Sequence, residues 1–192
     1  MRSVRKILTW LVLIGVLSGI VFALAQLGLL ENERSSSLSG EIPPSATAAT
    51  LETVYDGDTI AAVIDGKRET VRLIGINAPE TGGNNTQIEC FGAEATVFLR
   101  SLIPVGATVW LEKDVSERDR FGRLLRFVWV VDADGRAGLT NHELVRNGYA
   151  VARIYPPDDR YADLLADGQS AARSNNLGMW GTCQQAHLVS AG

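Results

Sequence analysis

Four short segments in the middle of this 192-residue chain combine acidic side chains with arginines. They are Asp56-Gly57-Asp58-Thr59, Arg72, Asn77-Ala78-Pro79-Glu80-Thr81 and Asp119-Arg120-Phe121-Gly122-Arg123. Hard oxygen donors on loops suit Ca²⁺, and a guanidinium can hold a phosphate through two parallel hydrogen bonds. Each segment alone is weak evidence, because Asp-Gly pairs mark turns and arginines are common on surfaces. Their order and spacing together predict one site for a metal-assisted reaction on a phosphodiester.

Two of these residues also admit a purely structural interpretation. Arg72 lies between Val71 and Leu73 in an apolar run typical of a strand, so its charge must either pair with a carboxylate or face a wet cleft. Asp58 follows Asp56-Gly57, where Asp and Gly can serve a turn alone. Taken singly, these residues leave both interpretations open.

The N-terminal part of the chain predicts a membrane segment. Arg2, Arg5 and Lys6 precede residues 7–30, which carry no charge and are long enough to cross roughly 30 Å of hydrocarbon as a helix. The basic residues place the N-terminus in the cytoplasm. The length favours a retained single-pass anchor in the cell membrane with the domain outside the cytoplasm. The alternative is secretion after signal cleavage near Ala25.

The rest of the chain divides into a linker, one domain and a tail. Residues 31–46 are rich in Ser, Gly and Pro with few large apolar side chains, which predicts a disordered linker. Residues 47–183 have the length of a single domain. Residues 184–192 lack a periodic pattern and are expected to form a flexible tail.

Cysteine and histidine each occur only twice. In an oxidising compartment the even number of cysteines favours a disulfide between Cys90 and Cys183, and the alternative is two free or buried thiols. His142 and His187 belong to no recognisable cluster, so we expect a solvated helix-start residue and a solvated tail residue rather than catalysts.

The charge balance excludes bulk electrostatic binding of nucleic acid. The formal net charge is −4, and the chain without its basic N-terminus is more acidic still. A polyanionic substrate would therefore need a local basic cluster. The candidates are Lys113, Arg118, Arg120, Arg123 and Arg126.

Short alternating segments predict a small β-barrel with helices packed against it. Asp65-Gly66 is a strong hairpin signal, and further strands are expected at Thr108–Glu112 and Leu124–Val131. Helical spacing occurs in three places, at residues 95–102, around Leu144 and Val145, and at residues 161–172. Asn141 is positioned to cap the second helix.

These motifs resemble the staphylococcal nuclease, or thermonuclease, family of Ca²⁺-dependent phosphodiesterases, and the likeness extends over about residues 47–180. The resemblance implies an α+β fold, a five-stranded OB-type barrel with three packed helices. The motifs that carry it are Tyr55-Asp56-Gly57-Asp58-Thr59, Arg72-Leu73-Ile74-Gly75, Ala78-Pro79-Glu80-Thr81, Phe91-Gly92-Ala93-Glu94-Ala95, Asp119-Arg120-Phe121-Gly122-Arg123, Leu144-Val145-Arg146-Asn147-Gly148 and Met179-Trp180.

The resemblance also implies a Ca²⁺ site. Asp58 would be a metal ligand, Ala78 would offer its backbone carbonyl oxygen, and Asp56 would support the water molecules around the ion. Asn77 stands where the family commonly has an aspartate. Because an amide oxygen carries no formal charge, we expect weaker binding of Ca²⁺ than the family pattern implies.

The same resemblance assigns the chemistry and the substrate contacts. Glu80 would activate or orient the attacking water, while Arg72 and Arg123 would bind phosphate. Substrate-binding residues would be Arg120, Phe121, Arg153 and Tyr155, although Phe121 and Arg153 replace tyrosines familiar in the family. Bases can stack on such aromatic rings, and the structural alternative for each ring is simple packing.

These observations and the resemblance together predict an exported Ca²⁺-dependent nuclease that hydrolyses DNA and RNA and favours single strands. The resemblance implies that its products carry 3′-phosphates. We expect a monomer that binds nucleic acid and the membrane but no protein partner. The alternative is an OB-fold module of the cell envelope that binds nucleic acid or protein without cleaving it.

Overall fold

Eight strands and four helices follow one another along residues 40–82 and 87–183, which the computed structural model describes. The strands are β1 (Thr47–Val54), β2 (Thr59–Ile64), β3 (Lys67–Leu73), β4 (Ile76–Asn77), β5 (Thr108–Glu112), β6 (Leu124–Val131), β7 (Ala137–Leu139) and β8 (Val151–Ala152). The helices are α1 (Gly92–Leu102), α2 (Thr140–Arg146), α3 (Ala162–Ser174) and the single turn α4 (Met179–Thr182).

Five of the strands close into a mixed barrel. The sheet runs β3-β2-β1-β5-β6, and parallel pairing of β3 with β6 joins its two ends, with Arg72 opposite Leu125. β7 extends β6, while β4 and β8 form a separate two-stranded ladder. The predicted α+β fold, an OB-type barrel with three packed helices, is confirmed.

Alternating side chains explain why these strands form one core. In β1, Ala49, Leu51 and Val54 are buried while neighbouring residues face outward. The hairpin between β2 and β3 turns at Asp65 and Gly66, both with positive φ (49° and 77°). Such a turn matches the twist of the paired strands, and the predicted hairpin is therefore present.

Each of the three longer helices buries one face against its neighbours. In α1, Ala95 and Leu99 are buried, and in α3 the buried positions are Leu165, Gly168 and Ala172. These positions follow the helical period that the sequence displays. The helices therefore occupy the predicted places.

The predicted capping role of Asn141 is wrong. No side-chain cap bond exists at the start of α2, and Asn141 is fully buried. Its Oδ1 accepts a hydrogen bond from the N–H of Val128 (2.9 Å), and its Nδ2 donates to the carbonyl of Ile74 (2.8 Å). Asn141 thus satisfies backbone groups of β6 and of the segment after β3, which a buried amide must do.

The prediction of a solvated His142 is also wrong. The imidazole is only 5% exposed and lies against Gly168 of α3, and burial lowers its pKa from the ordinary value. A Cβ at position 168 would lie 3.1 Å from the ring, so the small glycine allows α2 and α3 to approach closely here. His187 lies outside the described residues.

The disulfide between Cys90 and Cys183 is confirmed, with Cα atoms 6.0 Å apart and a sequence separation of 93. It links the segment before α1 to the end of α4. Gly40 pairs with Ala137, so the described chain begins beside β7. None of the helices in the described ranges is long and apolar enough to span a membrane, and the predicted anchor and tail lie outside those ranges.

A buried carboxylate ties one side of the barrel together. Glu112, 1% exposed at the end of β5, accepts hydrogen bonds from Trp129 Nε1 (2.8 Å), Tyr161 Oη (2.9 Å) and Arg160 Nη1 (2.9 Å). Burial and the bond to Glu112 raise the pKa of Tyr161. A charge removed from water is tolerated here because three donors compensate it.

Replacing Glu112 with glutamine is expected to lower the free energy of unfolding by about 1 to 3 kcal/mol, because one accepting oxygen becomes an NH₂ group that faces other donors. Urea unfolding followed by tryptophan fluorescence measures the effect. Glu52→Gln is the control, since Glu52 pairs with Arg68 at the exposed surface, where such a pair is worth about 0 to 1 kcal/mol. Equal losses in the two variants would contradict this account of Glu112.

Candidate active site

One cleft of about 600 Å³ collects most of the residues that the sequence singled out. The turn between β1 and β2 supplies two acids, β3 supplies Arg72, the segment from β4 onward supplies Asn77 and Glu80, and the loop before β6 supplies Arg123. Parallel pairing of β3 with β6 explains how residues so distant in sequence meet. The predicted residues that line the cleft are Asp56, Asp58, Arg72, Asn77, Glu80, Arg120, Phe121, Arg123 and Tyr155.

Asp58 lies at the bottom of this cleft and is 7% exposed. Its Oδ1 accepts a hydrogen bond from Thr59 Oγ1 (3.0 Å), and its Oδ2 accepts the N–H of Ala78 (2.8 Å). Burial raises the pKa of Asp58 to about 6, opposed by the charge of Arg72 and assisted by that of Asp56. The positive charge of Arg72 therefore does not fully compensate the burial of this carboxylate.

Gly57 allows the turn that carries these two acids to pack tightly. A Cβ at this position would lie 2.6 Å from the Cβ of Ala78 and 2.8 Å from the Cβ of Ala95. Distances this short exclude any larger side chain without a shift of the backbone. The turn also folds on itself, since Asp58 N–H donates to Asp56 Oδ1 (3.0 Å). The site thus depends on contact between the turn and α1.

Arg72 combines the two interpretations that its sequence position leaves open. Its Nη2 forms a salt bridge with Asp58 Oδ2 (3.0 Å) and a hydrogen bond with Asn77 Oδ1 (3.1 Å), and its Nη1 donates to the carbonyl of Leu73. The guanidinium is therefore paired with a carboxylate, and the same residue lines the cleft. Its orientation is fixed by three acceptors.

Arg123 is held differently, by a tight turn. Asp119 Oδ1 accepts the N–H groups of Phe121 (2.9 Å) and Arg123 (3.0 Å), while Asp119 Oδ2 accepts Arg123 Nε (2.6 Å). Although partial burial raises the pKa of Asp119, the hydrogen bonds and charge of Arg123 hold it below its ordinary value. Neither Nη group of Arg123 has a hydrogen-bond acceptor within the described part of the chain, so both can serve a ligand.

The same turn occurs a second time away from the cleft. Asp132 accepts the N–H groups of Asp134 and Arg136 through Oδ1 (both 2.9 Å) and Arg136 Nε through Oδ2 (3.1 Å). The glycines before the two arginines, Gly122 and Gly135, have φ values of 80° and 81°. In both turns the shared pattern Asp-x-x-Gly-Arg therefore holds the N–H and Nε of its arginine in the same way. Of these two arginines, Arg123 lines the cleft and Arg136 does not.

Glu80 lies beyond β4 with its carboxyl group at the cleft. Partial burial raises its pKa from the ordinary value, the negative charges of Asp56 and Glu89 add to the rise, and the charges of Arg72 and Arg123 oppose it. A carboxylate of raised basicity is better suited to accept a proton from water. The environment of Glu80 is therefore compatible with the predicted role.

Aromatic rings with neighbouring arginines form the rim. Phe121 is 69% exposed, and the guanidinium carbons of Arg120 and Arg123 lie 4.7 and 5.5 Å from its ring centroid. Tyr155 lines the cleft, with Arg153 Nε 3.1 Å from its hydroxyl group. Arg153 is not among the lining residues, but its N–H donates to the carbonyl of Gly75 (2.9 Å), which, like Tyr155, lines the cleft.

The predicted basic cluster divides into two groups. Arg120 and Arg123 line the cleft, whereas Arg118 pairs with Glu69 (2.9 Å) and Arg126 pairs with Glu117. Lys113 also pairs with Glu117 (3.3 Å). Arg123 is itself bonded to Asp119 (2.6 Å), so acids pair with four of the five candidates.

Sequence reasoning gave no role to Asp119, which it included in one of the four site segments, and did not place Asp158 at the site. Asp119 positions Arg123, and the recurring Asp-x-x-Gly-Arg pattern could have indicated this. Asp158 also lines the cleft, and its Oδ1 accepts the N–H groups of Val115 (2.9 Å) and Ser116 (2.8 Å). Nothing in the local sequence identifies that contact, because its partners lie more than forty residues away.

The donor set at the bottom of the cleft fits Ca²⁺ by its chemistry. Carboxylate oxygens of Asp58 and Asp56 and the amide oxygen of Asn77 are hard donors of the kind that Ca²⁺ takes. Nowhere in residues 40–82 and 87–183 do three His, Cys, Asp or Glu side chains assemble as metal ligands. Ala78 is buried, and a role for its carbonyl oxygen stays a prediction.

The fold and the site define the class of this protein. It is a closed OB-type barrel with acids and arginines around one cleft. A family described as staphylococcal nuclease homologue matches residues 70–182. Thermonuclease of Staphylococcus intermedius is 37% identical over 130 residues, covering 68% of this chain and 74% of that protein. Endonuclease YncB of Bacillus subtilis (strain 168) is 35% identical over 133 residues, covering 68% of this chain and 60% of that protein. The chain therefore belongs to the staphylococcal nuclease family. This membership supports the interpretation that the protein is a nuclease.

Proposed function

We propose that this protein is an exported, Ca²⁺-dependent nuclease that hydrolyses the phosphodiester bonds of DNA and RNA and leaves 3′-phosphates. The observation that carries the proposal is the convergence of Asp58, Glu80, Arg72 and Arg123 on one cleft. Family membership and relatives named thermonuclease and endonuclease support it.

The side chains divide the chemistry among them. A phosphodiester gains negative charge as water attacks, so groups that meet this charge lower the barrier if they bind the transition state more tightly than the substrate. Arg123, held at Nε by Asp119, offers two Nη groups that meet no acceptor among the described residues, and Arg72 adds a second guanidinium. Glu80 orients the water and accepts its proton. Bound Ca²⁺ would supply further positive charge at the phosphate.

The rim favours single strands. Phe121 and Tyr155 are exposed aromatic rings on which unpaired bases can stack, at about 1 to 3 kcal/mol per base. Since the net charge is −4 and most of the basic cluster is paired with acids, long-range attraction to duplex nucleic acid is weak. We therefore expect a shallow dependence of binding on salt.

We place the protein at the cell membrane as a monomer, with the nuclease domain on the outer side. The uncharged segment at residues 7–30 and the basic residues before it support this location. Secretion after cleavage near Ala25 is the alternative.

Hydrolysis of single-stranded DNA with Ca²⁺ and with EDTA tests the proposal. We expect cleavage by the wild type in Ca²⁺ only, and strongly reduced cleavage by Glu80→Ala and by Arg123→Ala. Cleavage in EDTA, or its absence in well-folded protein, would contradict the proposal. Absent cleavage together with binding of single strands would favour the module that binds without cleaving.

Asn77→Asp is expected to lower the Ca²⁺ concentration for half-maximal activity by about tenfold. Ligand charge tunes Ca²⁺ affinity, and the substitution adds one negative charge where Asn77 Oδ1 now meets Arg72. Calorimetric titration of Ca²⁺ measures the affinity directly. Asn176→Asp adds the same charge outside the cleft and should leave the affinity unchanged. Equal responses of both variants would mean that Asn77 is not a ligand.

A further inference from the structure

Glu89 forms two hydrogen bonds with the backbone of Glu80, one with its N–H group and one with its carbonyl oxygen. The N–H of Glu80 donates to Glu89 Oε2 (2.9 Å), and the N–H of Glu89 donates to the carbonyl of Glu80 (2.9 Å). These two reciprocal hydrogen bonds, here called the clamp, join the backbone of Glu80 to Glu89. The clamp acts on the backbone and leaves the carboxyl group of Glu80 at the cleft.

Glu89 is itself fixed to the framework. Its carbonyl accepts the N–H of Gly92, the first residue of α1 (3.2 Å). The next residue along the chain, Cys90, is bonded to Cys183. Glu89 is therefore held by the first residue of α1, through Gly92, and by the neighbouring crosslink at Cys90, so it is a firm support for Glu80.

Gly92 brings the same support close to Glu80. A Cβ at position 92 would lie 2.4 Å from the carbonyl oxygen of Glu80 and 3.1 Å from that of Pro79. Only glycine permits this approach, because backbone atoms cannot yield as a flexible side chain can. The segment that carries Glu80 thus rests directly on the start of α1.

We propose that Glu89 is a positioning residue that sets the place of the Glu80 carboxylate through the two backbone bonds. The inference rests on the proposed nuclease activity, in which Glu80 acts on the attacking water. Small displacements of a reacting group lower the rate steeply, and about 1 Å can cost a hundredfold. Glu89 contributes through geometry, without contact with the substrate.

Glu89→Ala and Glu89→Gln separate this role from a general effect of charge. Alanine removes the acceptor for the N–H of Glu80, whereas the amide oxygen of glutamine can still accept it. We expect Glu89→Ala to lower kcat on single-stranded DNA by about tenfold to a hundredfold with KM nearly unchanged. Glu89→Gln should recover most of that loss.

Amide hydrogen exchange gives a readout that needs neither metal nor substrate. In the full chain without Ca²⁺, exchange at the Glu80 N–H should accelerate about tenfold or more in Glu89→Ala and stay near the wild-type rate in Glu89→Gln. Glu94→Ala is the matched control, since Glu94 lies in the first turn of α1 and has no bond to Glu80. It should leave both kcat and the exchange rate unchanged.

The measurements of kcat and of amide exchange distinguish a failure of the proposed function from a failure of the positioning role. If the wild type does not cleave, the proposed function fails, and the exchange at Glu80 still decides whether the clamp exists. If the wild type cleaves and Glu89→Ala matches it in kcat, the positioning role is wrong. A Glu89→Gln variant as slow as Glu89→Ala would equally overturn it, because charge rather than the hydrogen bond would then be responsible.

Discussion

Replacing Arg123 with alanine is expected to lower kcat for nucleic-acid cleavage by about a thousandfold, with the fold intact. Loss of one preorganised donor to a developing oxyanion costs about a hundredfold to a thousandfold, and arginines that meet phosphoryl charge contribute as much or more. Arg123 fits that role because Asp119 holds its Nε while both Nη groups lack acceptors within the described residues. Steady-state kinetics on single-stranded DNA in saturating Ca²⁺ measures the loss.

Arg136→Ala is the control that the fold itself provides. Arg136 lies in the same Asp-x-x-Gly-Arg turn, bonded to Asp132 as Arg123 is bonded to Asp119, but outside the cleft. Both substitutions remove an arginine from one turn geometry and leave the first turn aspartate without its partner, and Arg136→Ala also removes the salt bridge from Arg136 Nη2 to Asp134 (2.6 Å). If Arg136→Ala lost as much activity as Arg123→Ala, the effect would come from the turn or from net charge, and the phosphate-binding role would be wrong.

A lysine at position 123 should rescue little of this activity. Lysine keeps the charge, but its three N–H donors share one nitrogen, so it cannot bond Asp119 at the position of Nε and also place donors at the positions of both Nη groups. The comparison distinguishes a requirement for charge from a requirement for geometry. Full activity in Arg123→Lys would show that charge alone suffices.

The barrel could be predicted because its signals are local. Alternation in β1 and the Asp65-Gly66 turn each act within a few residues, and the structure follows them. The four site segments could be predicted because each contains chemistry-bearing residues at short spacing. Their convergence depends on the parallel pairing of β3 with β6, which no local pattern in the sequence predicts.

The wrong predictions concern polar residues whose burial is decided by distant partners. Asn141 and His142 stand at a helix start, where polar residues are commonly exposed caps. Asn141 instead bonds Val128 and Ile74, the latter sixty-seven positions away. His142 is covered by α3. No local pattern contains these contacts, so local reasoning chose the commoner exposed state.

Removing the disulfide with the double substitution Cys90→Ser and Cys183→Ser is expected to lower the free energy of unfolding by about 4 to 5 kcal/mol. In the chain-entropy account a crosslink restricts the unfolded chain, and the restriction grows with the length of the closed loop. Here the loop spans 93 positions and contains α1, α2, α3, α4 and four of the strands. Urea unfolding of the oxidised wild type and of the double variant measures the difference.

Reduced wild type is the matched control, because it has the sequence of the oxidised protein and lacks only the crosslink. It should unfold at the same urea concentration as the double variant, whereas a clear difference between them would assign part of the loss to the serines. A loss below about 1 kcal/mol would contradict the entropic argument, since it would mean that the unfolded chain already keeps the two regions close. Because Cys90 adjoins Glu89, a folded double variant should also exchange the Glu80 amide proton faster, linking the crosslink to the site.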